Sequence, residues 1–336
     1  MRGWGSKYRD IVVFVRLLFM ELPKHDPNIP RTMEDEISSK KHHYIPRFYL
    51  KGFTDNNDMF YRYDKLTDHI KYVGRKGVFF EENINTGAIQ NPETGEMHLW
   101  SLPEVVFGVM DTKLANPLEI LRNTDASTNI MANPTVVDIV KHLIYFLFWR
   151  NPINRDHLDK VIDKNTLEDI GFGFLDWEEN RLVDWEEKMK DIDLWRKLYP
   201  ALIASGRKYS VFKKDNTMDW GVYYMNWNHA LITDNPIILR SVDDPVSLEG
   251  NLLFPLDVNK LVVAIEGKKK NSLLPIVREQ IDVLLFHQAV RYIACPKKEY
   301  LMHIKDQVEN FYSPQAENWA ELLKDQIFET LTEKTE

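Results

Sequence analysis

Apolar side chains change their spacing along this chain, and each change marks a change of element. Met59-Phe-Tyr-Arg-Tyr-Asp and His69-Ile-Lys-Tyr-Val are short aromatic and β-branched runs around a polar break at 66–68, the pattern of a β-hairpin. Thr54–Asp58 and Asn91-Pro-Glu-Thr-Gly-Glu are turn clusters, the second joining two further strands. Between them, 78–86 reads as a loop running into a helix or a third strand. From Leu102 the period lengthens. Val105, Val106, Val109, Leu114, Leu118 and Leu121 predict an amphipathic helix with Pro103 in its first turn. Pro134–Trp149 is apolar nearly all round, a buried core helix too short to span a bilayer.

The next stretch, 154–170, reads as a partly exposed helix. Residues 176–198, with Trp177, Leu182, Trp185, Met189, Ile192 and Trp195, read as a long surface helix stopped by Pro200, with a second helix over 200–205. Short strands are then expected at 209–211, 220–225, 230–233, 237–240, 252–256 and 260–265. Two helices, 272–294 and 306–332, close the chain around Pro296-Lys-Lys-Glu. Strands at both ends of a helical middle predict an α+β fold, a single domain with an antiparallel sheet and a large helical portion. N- and C-terminal strands are expected to share that sheet.

Composition narrows this picture only in part. With 43 basic and 51 acidic residues the formal charge is −8. That disfavours a generally basic nucleic-acid coat and docking on an anionic membrane, while leaving a local basic cleft open. Nine Trp, 14 Tyr and 17 Phe predict a core rich in ring packing. The single cysteine, Cys295, allows no internal disulfide and no cysteine-based zinc site. In an apolar run before Pro296 it reads as buried and inert, which fits a reducing cytoplasm. Ile11–Met20 is apolar but short and carries Arg16, and Leu22-Pro-Lys-His offers no small-residue cleavage site. With Met33 as a second plausible start, residues 1–36 read as a peripheral extension to one domain over 37–336.

Four groups of residues can carry chemistry. His42 and His43 are the only adjacent imidazoles, held just ahead of Pro46. Such a pair serves acid–base or metal chemistry, or else caps a turn. Asp234, in Thr233-Asp-Asn-Pro, follows a short apolar strand, where a carboxylate can hold a metal or orient a base. The competing reading is a turn in which Asp234 and Asn235 cap backbone. Arg150 ends the most buried helix, as a dipole-complementing cation or as a phosphate clamp. His287 and Arg291, four apart on the expected 272–294 helix, share a face with Arg278 nearby. These polar groups in an apolar stretch need partners, and are expected to meet Asp234 or the histidines. His43, Asn57 and His69 have loosely the separations of a His-Asn-His nuclease, but His69 falls in a hairpin where that motif needs a helix. No Walker loop, dinucleotide glycine fingerprint, His-Glu-x-x-His or Gly-x-Ser-x-Gly is present.

The stretch His42-His-Tyr-Ile-Pro-Arg-Phe-Tyr-Leu-Lys-Gly-Phe, continued by Phe60-Tyr-Arg-Tyr-Asp-Lys, Trp149-Arg-Asn-Pro, Thr233-Asp-Asn-Pro and Phe254-Pro-Leu, resembles the signature of a bacterial family catalogued as domain of unknown function 4238. The likeness covers roughly residues 40–295 in family order, with Thr233 where the family usually has Ser. It implies a cytoplasmic bacterial or phage-associated protein and brings no reaction. The signature positions it nominates are His43, Pro46, Arg150, Asp234, Asn235 and Pro236.

Two functions follow as expectations. One is a metal-assisted hydrolase acting on nucleic acid or a nucleotide. There His43 and Asp234 are catalytic, a divalent ion (Mg²⁺ or Mn²⁺) is the cofactor, and His42, Arg150, Asn235, His287 and Arg291 bind the substrate. The other is a non-catalytic binding or sensor protein, in phage defence, whose same residues hold the fold.

Overall fold

The computed structural model describes residues 40–90, 97–100, 102–126, 129–164, 193–205, 218–241, 250–314 and 317–333. Its first elements are β1 (Lys41–His43), α1 (Arg47–Leu50), β2 (Met59–Asp64), β3 (His69–Gly74), β4 (Phe80–Glu82), β5 (Gly87–Gln90) and β6 (Met97–Trp100). The helical middle follows as α2 (Leu102–Asn123), α3 (Pro134–Arg150), α4 (Arg155–Lys164) and α5 (Asp193–Ser205). Then come β7 (Met218–Tyr224), β8 (Ile232–Thr233), β9 (Ile238–Leu239), β10 (Leu252–Asp257), β11 (Lys260–Glu266), α6 (Pro275–Gln288), β12 (Tyr292–Cys295), α7 (Lys298–Asp306) and α8 (Trp319–Leu331). The fold is α+β with antiparallel sheets. Internal contacts divide the chain into two compact units. The first comprises residues 1–42, 81–113 and 154–210, and the second 43–80, 114–153 and 211–336.

In the first unit β5 and β6 form an antiparallel hairpin. Its buried side chains include Val106 and Phe107 of α2, Leu158 of α4, and Tyr199, Ile203 and Ala204 of α5. Helix α5 runs through Pro200, so the proline expected to stop a helix lies inside one. Proline removes one i→i−4 hydrogen bond, and burial of the residues on either side of it, Tyr199 and Ala201, offsets that loss. Residues 176–192 of the surface helix expected over 176–198, and the strand at 209–211, lie outside the described residues.

The second unit holds two four-stranded sheets, in the orders β7-β11-β10-β9 and β3-β2-β12-β8. In the latter sheet a strand from residues 59–64 pairs with one from residues 292–295, so strands from opposite ends of the chain do share a sheet. One core serves both sheets. Leu253, Leu261 and Val263 of the first sheet and Tyr63 and Ile293 of the second pack with Ile281, Leu284 and Leu285 of α6 and Ile327 and Phe328 of α8. Each such side chain contributes about 1.5–3 kcal/mol through burial. Helix α3 is buried from Leu143 to Arg150 without interruption, as its all-round apolar sequence demands. Among the described residues no helix is long and apolar enough to cross a membrane.

The C-terminal elements depart from expectation. The helix expected over 272–294 stops at Gln288, with Ala289 extended at ψ 131°, and Tyr292–Cys295 is a central strand. The helix expected over 306–332 is two pieces, a π-helical stretch Gln307–Tyr312 and α8, and α7 ahead of it forms where no helix was expected.

Candidate functional site

The Thr233-Asp-Asn-Pro turn is built by its own side chains. The Thr233 hydroxyl donates to the Asn235 carbonyl at 2.8 Å and accepts the Asn235 N–H at 3.2 Å. Asp234 is 2% exposed. Its Oδ1 accepts the Val290 N–H at 2.9 Å, and its Oδ2 accepts the N–H groups of Arg291 at 2.6 Å and Tyr292 at 2.8 Å. This explains where α6 ends. Those amides are taken by a carboxylate 56 or more residues away in sequence, so they cannot continue the helical ladder. Burial pushes the Asp234 carboxyl above its ordinary range, opposed by the three N–H donors and the Lys65 ammonium. The Asp234 carbonyl accepts from Asn151 Nδ2 at 2.5 Å, which ties the turn to the residue after Arg150.

Lys65 caps the other side of the same junction. Its ammonium donates to the carbonyls of His287 at 3.2 Å and Ala289 at 2.7 Å, a cation on the last carbonyls of α6. Gln288 Nε2 donates to the carbonyls of Asn235 and Ile237. The expected shared face of His287 and Arg291 does not form, because the helix ends between them. The His287 ring packs edge-on to Trp319, 4.6 Å between centroids. Burial pulls its pKa down, helped by Lys65. Arg291 instead leaves on β12 and meets Asp64, Nη2 to Oδ2 3.2 Å, a bond that raises its pKa.

Arg291 belongs to a cationic cluster on the β2–β3–β12 surface. Arg62 on β2 stands directly opposite Lys71 on β3 and opposite Ala294 on β12. The guanidinium carbons of Arg62 and Arg291 both lie over the Tyr292 ring, at 4.9 and 4.6 Å from its centroid. Arg62 Nη1 donates to the Gly77 carbonyl at 2.9 Å, and Arg75 Nη1 donates to the Arg47 carbonyl at 3.0 Å. These bonds bring the ends of α1 and β3 alongside. The cluster thus comprises Arg62, Lys71 and Arg291 with Arg75 alongside. Within it, Arg75 is paired with Asp58 at 2.6 Å and Arg291 with Asp64. Lys71 and Arg291 are exposed. Like charges directly opposite on neighbouring strands are destabilising, so the Arg62–Lys71 pair costs the sheet stability.

The remaining sequence candidates are placed as follows. His43 lies against the Phe80 ring at 5.6 Å. Next to these two, Tyr44 packs on Phe79 and Phe79 packs on Tyr292, so the signature stretch reaches the cationic surface through aromatic contacts. Arg150 is 6% exposed and lies over Phe146. His42 belongs to the first unit. It is 1% exposed, and its Nδ1 accepts the Asn85 N–H at 3.0 Å, which places the proton of the neutral ring on Nε2. The structure therefore gathers Asp234, Asn235, Arg291 and the His287 backbone at one junction. Among the described residues no group of three or more His, Cys, Asp or Glu side chains is assembled, and both Asp234 oxygens are already engaged by N–H donors. Sequence reading missed Lys65, Asn151, Arg62, Lys71 and Arg75. Lys65 and Arg62 stand in Phe60-Tyr-Arg-Tyr-Asp-Lys and Asn151 in Trp149-Arg-Asn-Pro, so all three were in view as signature without a role.

Comparison with known proteins supplies kinship. No curated protein and no solved structure matches the chain. A family model described as protein of unknown function (DUF4238) matches residues 41–318, a span holding both four-stranded sheets, the Asp234 junction and the cationic cluster. The chain belongs to this family.

Proposed function

We propose that this chain is a non-catalytic binding protein whose partner is nucleic acid, held by its phosphates on the β2–β3–β12 surface. The observation that carries the reading is the Arg62–Lys71 pair, two cations facing one another across a ladder with Arg291 beside them, in a chain whose formal charge is −8. An approaching phosphodiester relieves the repulsion that the sheet otherwise bears. Guanidinium forks fit phosphate oxygens in bidentate fashion, and three of the four cations, Arg62, Arg75 and Arg291, are arginines. Asp234, with Lys65 and Asn151, holds the β8–β12 junction that presents Arg291. We take the setting to be the cytoplasm of a bacterium, which the single, buried Cys295 supports.

The test is fluorescence anisotropy with labelled single-stranded and duplex RNA and DNA, at about 50 and about 200 mM salt. Binding that weakens steeply with salt, and drops about tenfold or more in Arg62→Glu/Lys71→Glu, is the expected result. Parallel samples with Mg²⁺ or Mn²⁺ are expected to leave the strands intact. Cleavage that disappears in a folded His43→Ala variant would instead establish the hydrolase. Binding to anionic vesicles but not to any nucleic acid would make the partner a membrane and overturn the reading.

A further inference from the structure

A cavity of about 590 Å³ opens in the second unit, lined by none of the residues that either functional reading uses. It is formed where the end of α1, the end of α2, the end of β7 and the β10–β11 turn meet. Lys51, Arg122, Tyr224, Asn226, Asp257 and Lys260 line it.

Its walls are built with unusual care for a surface hollow. Arg122 donates to the carbonyls of Phe48, Tyr49 and Leu256, at 3.0, 2.6 and 2.8 Å, which locks the guanidinium in place. Gly52 is required beside it, because a Cβ there would stand 2.5 Å from Arg122 Nη2. Lys260 donates to the Leu121 and Arg122 carbonyls at the end of α2, and its ammonium lies over the Tyr224 ring at 5.4 Å. Asp257 accepts the Asn259 N–H at 2.9 Å. Burial raises its pKa, opposed by Arg122 and Lys260. The Tyr224 hydroxyl is shielded from solvent and has no hydrogen-bond partner among the described residues. A buried hydroxyl left so carries a desolvation penalty that a ligand atom removes.

We infer that this cavity is a binding site for a small polar metabolite bearing a phosphate group, of the size of a nucleoside monophosphate. Three cations (Lys51, Arg122, Lys260) outnumber two carboxylates (Glu119, Asp257) around it, which favours an anion. Asn123, Asn226 and Asn259 add donors and acceptors beside Ala126, Met225 and Val258, a mixed lining suited to a ligand with both polar and apolar parts. The volume falls within the range of about 300–1,000 Å³ typical of small-molecule sites. The Tyr224 hydroxyl is the specific donor. Lys51, half-exposed and paired with Glu119 at 3.0 Å, is the cation able to turn inward.

The experiment is titration calorimetry of the full chain with the four common nucleoside monophosphates, their nucleosides and inorganic phosphate. It includes Tyr224→Phe, Lys51→Met and the surface variant Arg62→Glu/Lys71→Glu, each checked for folding by circular dichroism. The expected result is saturable binding of at least one monophosphate, weakened about tenfold in Tyr224→Phe and in Lys51→Met and unchanged in the surface variant. Tyr224→Phe removes a single oxygen, so it tests the site without threatening the fold. No binding by any monophosphate, or binding that survives both cavity substitutions, would overturn the inference. Binding lost only in the surface variant would also overturn it and return the nucleotide to the cationic surface.

Discussion

Asp234 and Tyr292 hold one another twice: the Asp234 N–H donates to the Tyr292 carbonyl at 3.0 Å, and the Tyr292 N–H donates to the Asp234 carboxylate at 2.8 Å. One residue thus supplies both a strand pairing and the cap that turns α6 into β12. Replacing Asp234 with Ala strands three amides. Each buried, unmet donor costs about 1–3 kcal/mol, so Asp234→Ala is expected to lose about 3 kcal/mol or more in urea denaturation. Asp234→Asn, which keeps an acceptor, is expected to lose roughly half as much. In the folded Asn variant, nucleic-acid affinity is expected to stay within about twofold of wild type. A large loss of function at unchanged stability would make Asp234 a reacting group instead.

Charge reversal at the cationic cluster separates contact from context. Removing a phosphate contact lowers the slope of log affinity against log salt by about one. Arg62→Glu and Lys71→Glu should each do so, while Lys268→Glu, whose ammonium pairs with Glu333 at 2.7 Å, should leave the slope as it was. Because Arg62 and Lys71 repel each other, Lys71→Glu is expected to raise the melting temperature slightly while it weakens binding. Anisotropy and thermal melts on the same preparation read both effects.

Asp282 lies wholly buried on α6, with Arg278 Nη2 at 3.1 Å from Oδ1 and the Tyr300 hydroxyl donating to Oδ2 at 2.8 Å. Burial pushes its pKa up to about 6. A carboxyl raised in the folded state contributes stability below its unfolded pKa, and that contribution is lost as pH rises towards 6. Tyr300 supports the charged form. Tyr300→Phe is therefore expected to cost about 1 kcal/mol at pH 8 and less at pH 5. Denaturation curves at both values test this, and an equal loss at the two would contradict it.

Gly52 lies where a side chain meets Arg122. Gly52→Ala is expected to displace the guanidinium from the Tyr49 and Leu256 carbonyls and to cost about 2 kcal/mol or more. Calorimetric unfolding of this variant beside Lys51→Ala, a half-exposed neighbour expected to cost little, gives the comparison.

Much of the fold was legible because its signals are local. The 59–64 and 69–74 hairpin, the helix from Leu102 and the buried 134–150 helix each declare themselves in periodicity. What escaped depends on distant partners. Val283–Ala294 contains no breaker, and nothing near it shows that its amides belong to Asp234. Pro200 reads as a stop until the buried residues around it are known. Arg62 and Lys71 stand in a readable hairpin, yet Arg291 joins them only once β12 is known to be a strand. Asp234, Asn235 and Arg291 were found by residue type, while His287 meets them only through its backbone carbonyl.

The pairing of β2 with β12 joins residues near 60 to residues near 293. During synthesis the β2–β3 hairpin emerges well before β12 and has no partner for its inner edge until residues 292–295 have left the ribosome. An open strand edge of this kind invites pairing with other chains, and late closure of distant contacts slows folding. Chains interrupted before residue 292 would carry that edge uncovered and gather into aggregates, whereas chains that extend past β12 bury it. The emergence of β12 is thus itself the event that closes the sheet.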